Sequence, residues 1–140
     1  MDDAAQFVQR FTEFWARPSV QDLSTLLTPD VVLIQPLTPR LEGLAAAEAD
    51  FAKLFNWLPD MHGMIDGWSA RDSTLFIEFR LACTLKGQYI EWPAVDRMTL
   101  RGDKASERIS YFDPLPIVLK LGKTPRAWPS WWRSGVARFW

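Results

Sequence analysis

Hydrophobic positions recur at helical spacing through the first sixty residues and at strand spacing through the next fifty. Phe7, Val8, Phe11, Phe14 and Trp15 fall on one side of a helix, and Pro18 stops it. Ser19 followed by Asp22 predicts a capping box that opens a short second helix burying Leu23, Leu26 and Leu27, with Thr28-Pro29-Asp30 as its breaker. Val31 to Gln35 is a short apolar run bounded by prolines and predicts a strand. After Gly43, the residues Leu44, Ala47, Phe51, Leu54, Phe55 and Leu58 form a third helical stripe that ends at Pro59.

From Met61 onward the period changes to two. Four strand-like runs, at about residues 61–70, 74–86, 89–101 and 104–112, follow with little between them, the order of an antiparallel meander and not of alternating βαβ units. Arg71-Asp72-Ser73, Lys86-Gly87-Gln88 and Arg101-Gly102-Asp103 supply the turns. In the second run Leu75, Ile77, Phe79, Leu81, Cys83 and Leu85 share one face, while Glu78, Arg80, Thr84 and Lys86 share the other, so one face is buried and one is wetter. These elements predict a single α+β domain over residues 1–122, with no internal repeat or low-complexity linker, followed by an extension at 123–140.

Composition narrows the chemistry. A chain of 140 residues fits one domain and buries a core without disulfides or a structural metal. A single cysteine, Cys83, excludes an internal disulfide, and with a single histidine, His62, no His/Cys cluster for zinc or haem is available; no metal and no cofactor are expected. Sixteen basic against seventeen acidic side chains lack the field that draws proteins to nucleic acid. The start MDDAAQFVQRF has no basic n-region and no apolar stretch of signal or spanning length, so the expected location is cytoplasmic. Eight tryptophans and nine phenylalanines suit an aromatic-lined cavity or an interface.

The segments LPDMHGMIDGW, DSTLFIEFRLACTLKG and DRMTLRGDKASERISYFDPLP resemble the nuclear transport factor 2-like superfamily, in particular its SnoaL-like branch of polyketide cyclases and relatives of ketosteroid isomerase and limonene epoxide hydrolase. The resemblance covers roughly residues 4–120, and its most specific part is the hairpin from Asp96 through Gly102 to Tyr111-Phe112-Asp113-Pro114. It implies a cone-shaped fold, with N-terminal helices packed into a strongly curved, mixed and mainly antiparallel sheet, a deep pocket, and often a dimer across the sheet. One scaffold serves many reactions and also non-catalytic binders, so catalysis is argued position by position. The position matched to the base of ketosteroid isomerase is Gln35, and that matched to the cyclase and epoxide hydrolase aspartate is Ser110. The epoxide hydrolase's further arginine and aspartate match Ile77 and Phe79. The usual catalytic carboxylates are therefore missing from the matched positions.

Two polar residues in apolar company are the acid–base candidates. Asp96 shares its strand phase with Ile90, Trp92, Ala94, Met98 and Leu100, so it is expected to face the pocket. A buried carboxylate must be paired, hydrogen-bonded or used. The structural alternative is a partner such as Arg97, Arg80 or a backbone amide, or a bulge at Pro93 that reverses the phase. His62 shares a phase with Met64, Asp66 and Trp68, and imidazole exchanges protons near neutral pH. Its alternative is a wet strand-end position beside the Pro59-Asp60 turn. Gln35, Ser110 and Tyr111 are the candidates for hydrogen bonds to a ligand oxygen, and Trp15, Phe55, Trp57 and Trp92 for the apolar lining; for the aromatics, plain core packing is the competing role.

Residues 123–140, KTPRAWPSWWRSGVARFW, hold four tryptophans, four basic side chains and no acid. Such mixtures suit a membrane interface. Pro125, Pro129 and Gly135 prevent one continuous amphipathic helix, so the favoured expectation is a strap packed across the body or a partner subunit. The functional expectation is a pocket for a small apolar molecule, in an isomerase- or cyclase-type enzyme that transfers a proton. The alternatives are a non-catalytic binding protein for an apolar metabolite and an interaction domain with a collapsed pocket. A homodimer is expected through the outer sheet face, where Phe76 interrupts a polar phase.

Overall fold

In the computed structural model, which describes residues 2–137, helices cover one face of a six-stranded sheet. Helix α1 (Asp3–Ala16) is capped by Asp2, whose side chain accepts a hydrogen bond from Ala5 N at 2.8 Å. It buries Phe7, Val8, Phe11, Phe14 and Trp15, the stripe that its period predicts. The predicted capping box at Ser19 does not form. Ser19 makes no capping bond, its hydroxyl meets Gln21 instead, and a 3-10 turn (Val20–Asp22) leads into the four-residue α2 (Leu23–Leu26). Leu27 belongs to the next strand, and Thr28-Pro29-Asp30 are strand residues and not a breaker.

Helix α3 (Leu44–Trp57) follows Gly43, whose φ of 93° suits a residue without a Cβ and whose N–H donates to Val31 O at 2.7 Å. The sheet contains β1 (Leu27–Gln35), β2 (Thr38–Glu42), β3 (His62–Arg71), β4 (Thr74–Leu85), β5 (Gln88–Arg101) and β6 (Lys104–Tyr111), in the order β2-β1-β6-β5-β4-β3. Pairing is antiparallel except between β1 and β6, which makes the sheet mixed. The edge strand β2 is not predicted by the sequence. It carries Pro39, and an edge position spares that residue the need to donate in a ladder. The β4–β5 hairpin turns through Lys86 and Gly87, both at positive φ, and its register runs unbroken through Pro93, so no bulge reverses the phase of β5.

The core lies between α1, α3 and the inner face of β3, β4 and β5. Phe11 meets Phe79 edge-on at 5.3 Å, and Trp15 contacts Phe14, Phe51, Phe55 and Phe79. Burying each such ring stabilises the fold by roughly 1.5–3 kcal/mol. Gly63 of β3 permits the close approach of α1: a Cβ there would stand 3.1 Å from Trp15 Cβ. The polar phase of β4 faces the other way, where Arg80 pairs with Asp66 at 3.0 Å.

After β6 the chain forms α4 (Leu115–Gly122), a 3-10 turn (Pro125–Ala127) and α5 (Trp128–Ser134). Pro125 and Pro129 sit in the first turns of the last two elements, where a missing N–H breaks no helical bond, and Gly135 at φ 76° terminates α5. Trp128 Nε1 donates to Leu121 O at 2.8 Å, tying α5 to α4, and α5 packs on α3. The expected extension ends at residue 140; its last three residues lie outside the described residues.

Candidate functional site

The aromatic core fills only part of the inner face. Toward β1, β6 and the C-terminal helices it opens into a cavity of about 700 Å³. Its wall is mostly apolar: Trp15, Phe51, Trp57, Met61, Leu81, Trp92 and Phe112 from the body, with Ile117, Leu121, Trp128 and Trp131 from the tail. The polar side chains at the wall are Gln35, Thr38, Asp50, Arg108 and Ser110.

These polar groups are linked. Arg108 Nε donates to Asp96 Oδ2 at 2.6 Å, Arg108 Nη1 to Gln35 Oε1 at 3.4 Å, and Gln35 Nε2 to Asp50 Oδ2 at 3.2 Å. The guanidinium also lies 5.8 Å from the centre of the Phe51 ring, at cation–π distance. Asp96 is fully buried beneath Arg108 and does not reach the cavity wall. Its partner is thus Arg108, and not Arg97, Arg80 or a backbone amide, because Arg108 lies on the neighbouring strand two residues from Ser110, which stands opposite Asp96, and so shares its face. Asp50 is half-buried on α3. Burial pushes its carboxyl above the ordinary aspartate range, against the opposing pull of Lys53, the Gln35 hydrogen bond and Arg108.

Two further wall groups have unused hydrogen-bonding capacity. Trp92 Nε1 and Ser110 Oγ are buried without a partner among the described residues, as is Asp96 Oδ1. An unsatisfied buried polar group costs about 1–3 kcal/mol, so such groups in a cavity wall are poised for a ligand or water.

Of the predicted site residues, Gln35, Ser110, Trp15, Trp57 and Trp92 stand at the wall. Phe55, partly buried, packs against Phe14, Trp15 and Phe51 at the edge of the core, and Tyr111 is 52% exposed; neither lines the cavity. His62 is also away from it, with Nδ1 2.9 Å from Asp60 O. Gly63, the next residue, faces Trp15 on the inner side, so the alternation of β3 turns His62 outward. The structure therefore does not bring His62 and Asp96 together. Sequence reasoning missed Asp50, Arg108 and the tail's contribution to the wall. Asp50 was findable, because it sits three residues after Ala47 and four before Leu54, on the apolar stripe of α3. Among the described residues no group of three or more His, Cys, Asp or Glu side chains is gathered to hold a metal.

Helices on one face of a mixed six-stranded sheet, with an apolar cavity between, define the α+β pocket class to which the nuclear transport factor 2-like folds belong. This chain belongs to the SnoaL-like domain family, whose model matches residues 8–108. Similar solved structures include a candidate polyketide cyclase from Acidithiobacillus ferrooxidans, with TM-score 0.76 and 19% identity over 87% of this chain and 96% of that one. IdmH, a candidate polyketide cyclase from Streptomyces antibioticus, aligns with TM-score 0.74 and 14% identity over 85% and 98%. TerC, co-crystallised with polyporic acid, aligns with TM-score 0.76 and 16% identity over 84% and 97%. At these identities the likeness carries the fold and not a reaction. No curated protein matches the sequence.

Proposed function

We propose that the protein binds a small, largely apolar carbonyl compound in this cavity and moves a proton on it, with Asp50 as the acid–base group. The observation that carries this reading is the position of Asp50: a carboxyl pushed upward by burial, in the wall of a cavity of about 700 Å³. That volume lies in the range of small-molecule sites, and a carboxylate made more basic by burial is better matched to proton abstraction near neutral pH. Asp50 takes a proton from the carbon beside the carbonyl and returns it at another atom. Trp92 Nε1 and Ser110 Oγ supply the unpaired donors for the carbonyl oxygen as its charge grows. Gln35 holds the Asp50 carboxyl in place, and Arg108, fixed by Asp96, holds Gln35. The polyketide cyclase candidates of similar fold support this direction.

A second reading, binding without turnover, is favoured by Gln35 and Ser110 standing where related enzymes carry carboxylates. An open cavity of this size disfavours an interaction domain with a collapsed pocket.

The test uses 2-tetralone in D₂O, with loss of its α-proton signals followed by NMR. Wild type is expected to accelerate exchange, and Asp50→Asn to bind the ketone with exchange reduced about 10²-fold or more. Binding without accelerated exchange would leave only the binding protein. Failure to bind any apolar ketone would remove both readings.

A further inference from the structure

We propose that α4 and α5 form a docking face for an anionic lipid surface, so that the cavity opens toward a membrane. Of the eight large hydrophobic side chains that are strongly exposed among the described residues, five lie here: Leu115, Val118, Leu119, Trp128 and Trp132. Leu115 and Leu119 are one turn apart on α4 with Val118 beside them, and Trp128 and Trp132 are one turn apart on α5. Val118, Trp128 and Trp132 also line the cavity, which joins this apolar face to its mouth.

Charge selects the occupant. Five of the sixteen basic residues, and none of the seventeen acidic ones, lie after Asp113, although the chain as a whole carries a net charge of -1. Lys120, Lys123, Arg126 and Arg133 fall within or between the same short helices. Exposed tryptophan and leucine on helices whose charged side chains are all cations, with Asp113 at the start of α4 the nearest acid in sequence, match a layer of acyl chains beneath anionic headgroups, whereas a second copy would oppose cation to cation. Contact is interfacial, because no helix among the described residues is long and apolar enough to cross a membrane. A mouth at the lipid surface lets an apolar ligand pass between bilayer and cavity without crossing water.

The experiment is co-sedimentation of the full chain with vesicles of phosphatidylcholine alone and of phosphatidylcholine with phosphatidylglycerol. The protein is expected to bind the anionic vesicles, to leave them in about 0.5 M NaCl, and to show a blue-shifted tryptophan emission when bound. The double variant Leu115→Glu/Leu119→Glu changes two exposed residues outside the cavity wall, so its circular dichroism should match wild type while vesicle affinity falls roughly tenfold or more. Equal binding to neutral vesicles, no binding to anionic ones, or indifference to the double variant overturns the proposal. So does a dimer that the double variant dissolves in a protein that ignores vesicles, since a second copy then covers the face.

Discussion

The two faces of the sheet each carry a carboxylate–guanidinium pair, and the pairs do different work. On the inner face Asp96 and Arg108 meet at 2.6 Å with side-chain exposures of 0% and 7%. On the outer face Asp66 and Arg80 meet at 3.0 Å with exposures of 43% and 41%, and Glu91 joins them at 3.6 Å. The outer pair forms where strand alternation puts polar side chains in water, and solvent screens it. The inner pair forms where the same alternation puts charge in a core; neither member can lose the other without leaving a stranded ion. Its position beneath Gln35 and Asp50 makes it the foundation of the cavity's polar wall.

The largest effect should come from breaking the inner pair. Arg108→Met leaves Asp96 buried without a cation, for an expected loss of about 3–5 kcal/mol in urea unfolding. The double variant Asp96→Leu/Arg108→Met, which removes both charges, should recover much of that loss. The matched outer change, Asp66→Asn, should cost about 0–1 kcal/mol after solvent screening and become neutral at high salt. Equal losses for Arg108→Met and Asp66→Asn would mean that burial does not distinguish the pairs.

Glycines test the same contrast through packing. At Gly63 a new Cβ would lie 3.1 Å from Trp15 Cβ and 3.2 Å from Trp15 Cγ, whereas at Gly67 the nearest neighbour would be Glu78 Oε2 at 4.0 Å. Gly63→Ala should therefore destabilise by about 1–3 kcal/mol as α1 is pushed off the sheet. Gly67→Ala should stay within about 0.5 kcal/mol of wild type. Thermal melts of the two variants side by side decide it, and a harmless Gly63→Ala would mean that α1 has room to shift.

The same contrast explains what was legible in the sequence. Strands β4 and β5 alternate between a core and water except at Ala82, which is buried in the outer phase of β4, so their faces and, to within a residue, their ends follow from pattern. The edge strand β2 is short, carries Pro39 and buries little, leaving no period to detect. Strand β6 inverts the usual code: Arg108 and Ser110 are buried while Ile109 is only half-buried, because that strand lines a cavity with a polar wall. Folding the Gly102 hairpin back on itself places Ser110, Ile109 and Arg108 opposite Asp96, Arg97 and Met98, and Arg108 is the one cation in that stretch. The partner of Asp96 was therefore within reach of register, though not of hydrophobicity. The cavity itself was not legible, since the same aromatic stripes serve a filled core at Phe55 and an open wall at Trp57.

Asp50 sharpens the comparison from the inner side, as a carboxylate without a contact cation among the described residues. Burial raises its pKa above the ordinary 3.8, and Lys53, Gln35 and Arg108 only partly oppose the rise. A raised folded pKa means that folding favours the protonated form. The stabilising contribution is fully present below the unfolded value and is lost as pH rises through the folded one. At neutral pH the native protein therefore carries the cost of a partly buried charge, reduced by the solvent that still reaches it. Asp50→Asn removes that cost and keeps an acceptor for Gln35, so it should raise the urea midpoint slightly at pH 7, with the gain shrinking toward zero as pH falls to about 4. Loss of proton exchange with a gain in stability is the signature of a group held in place for chemistry. If Asp50→Asn instead weakens the fold at pH 7, the Arg108–Gln35 chain stabilises the charge outright, and Asp50 joins Asp96 as a structural carboxylate.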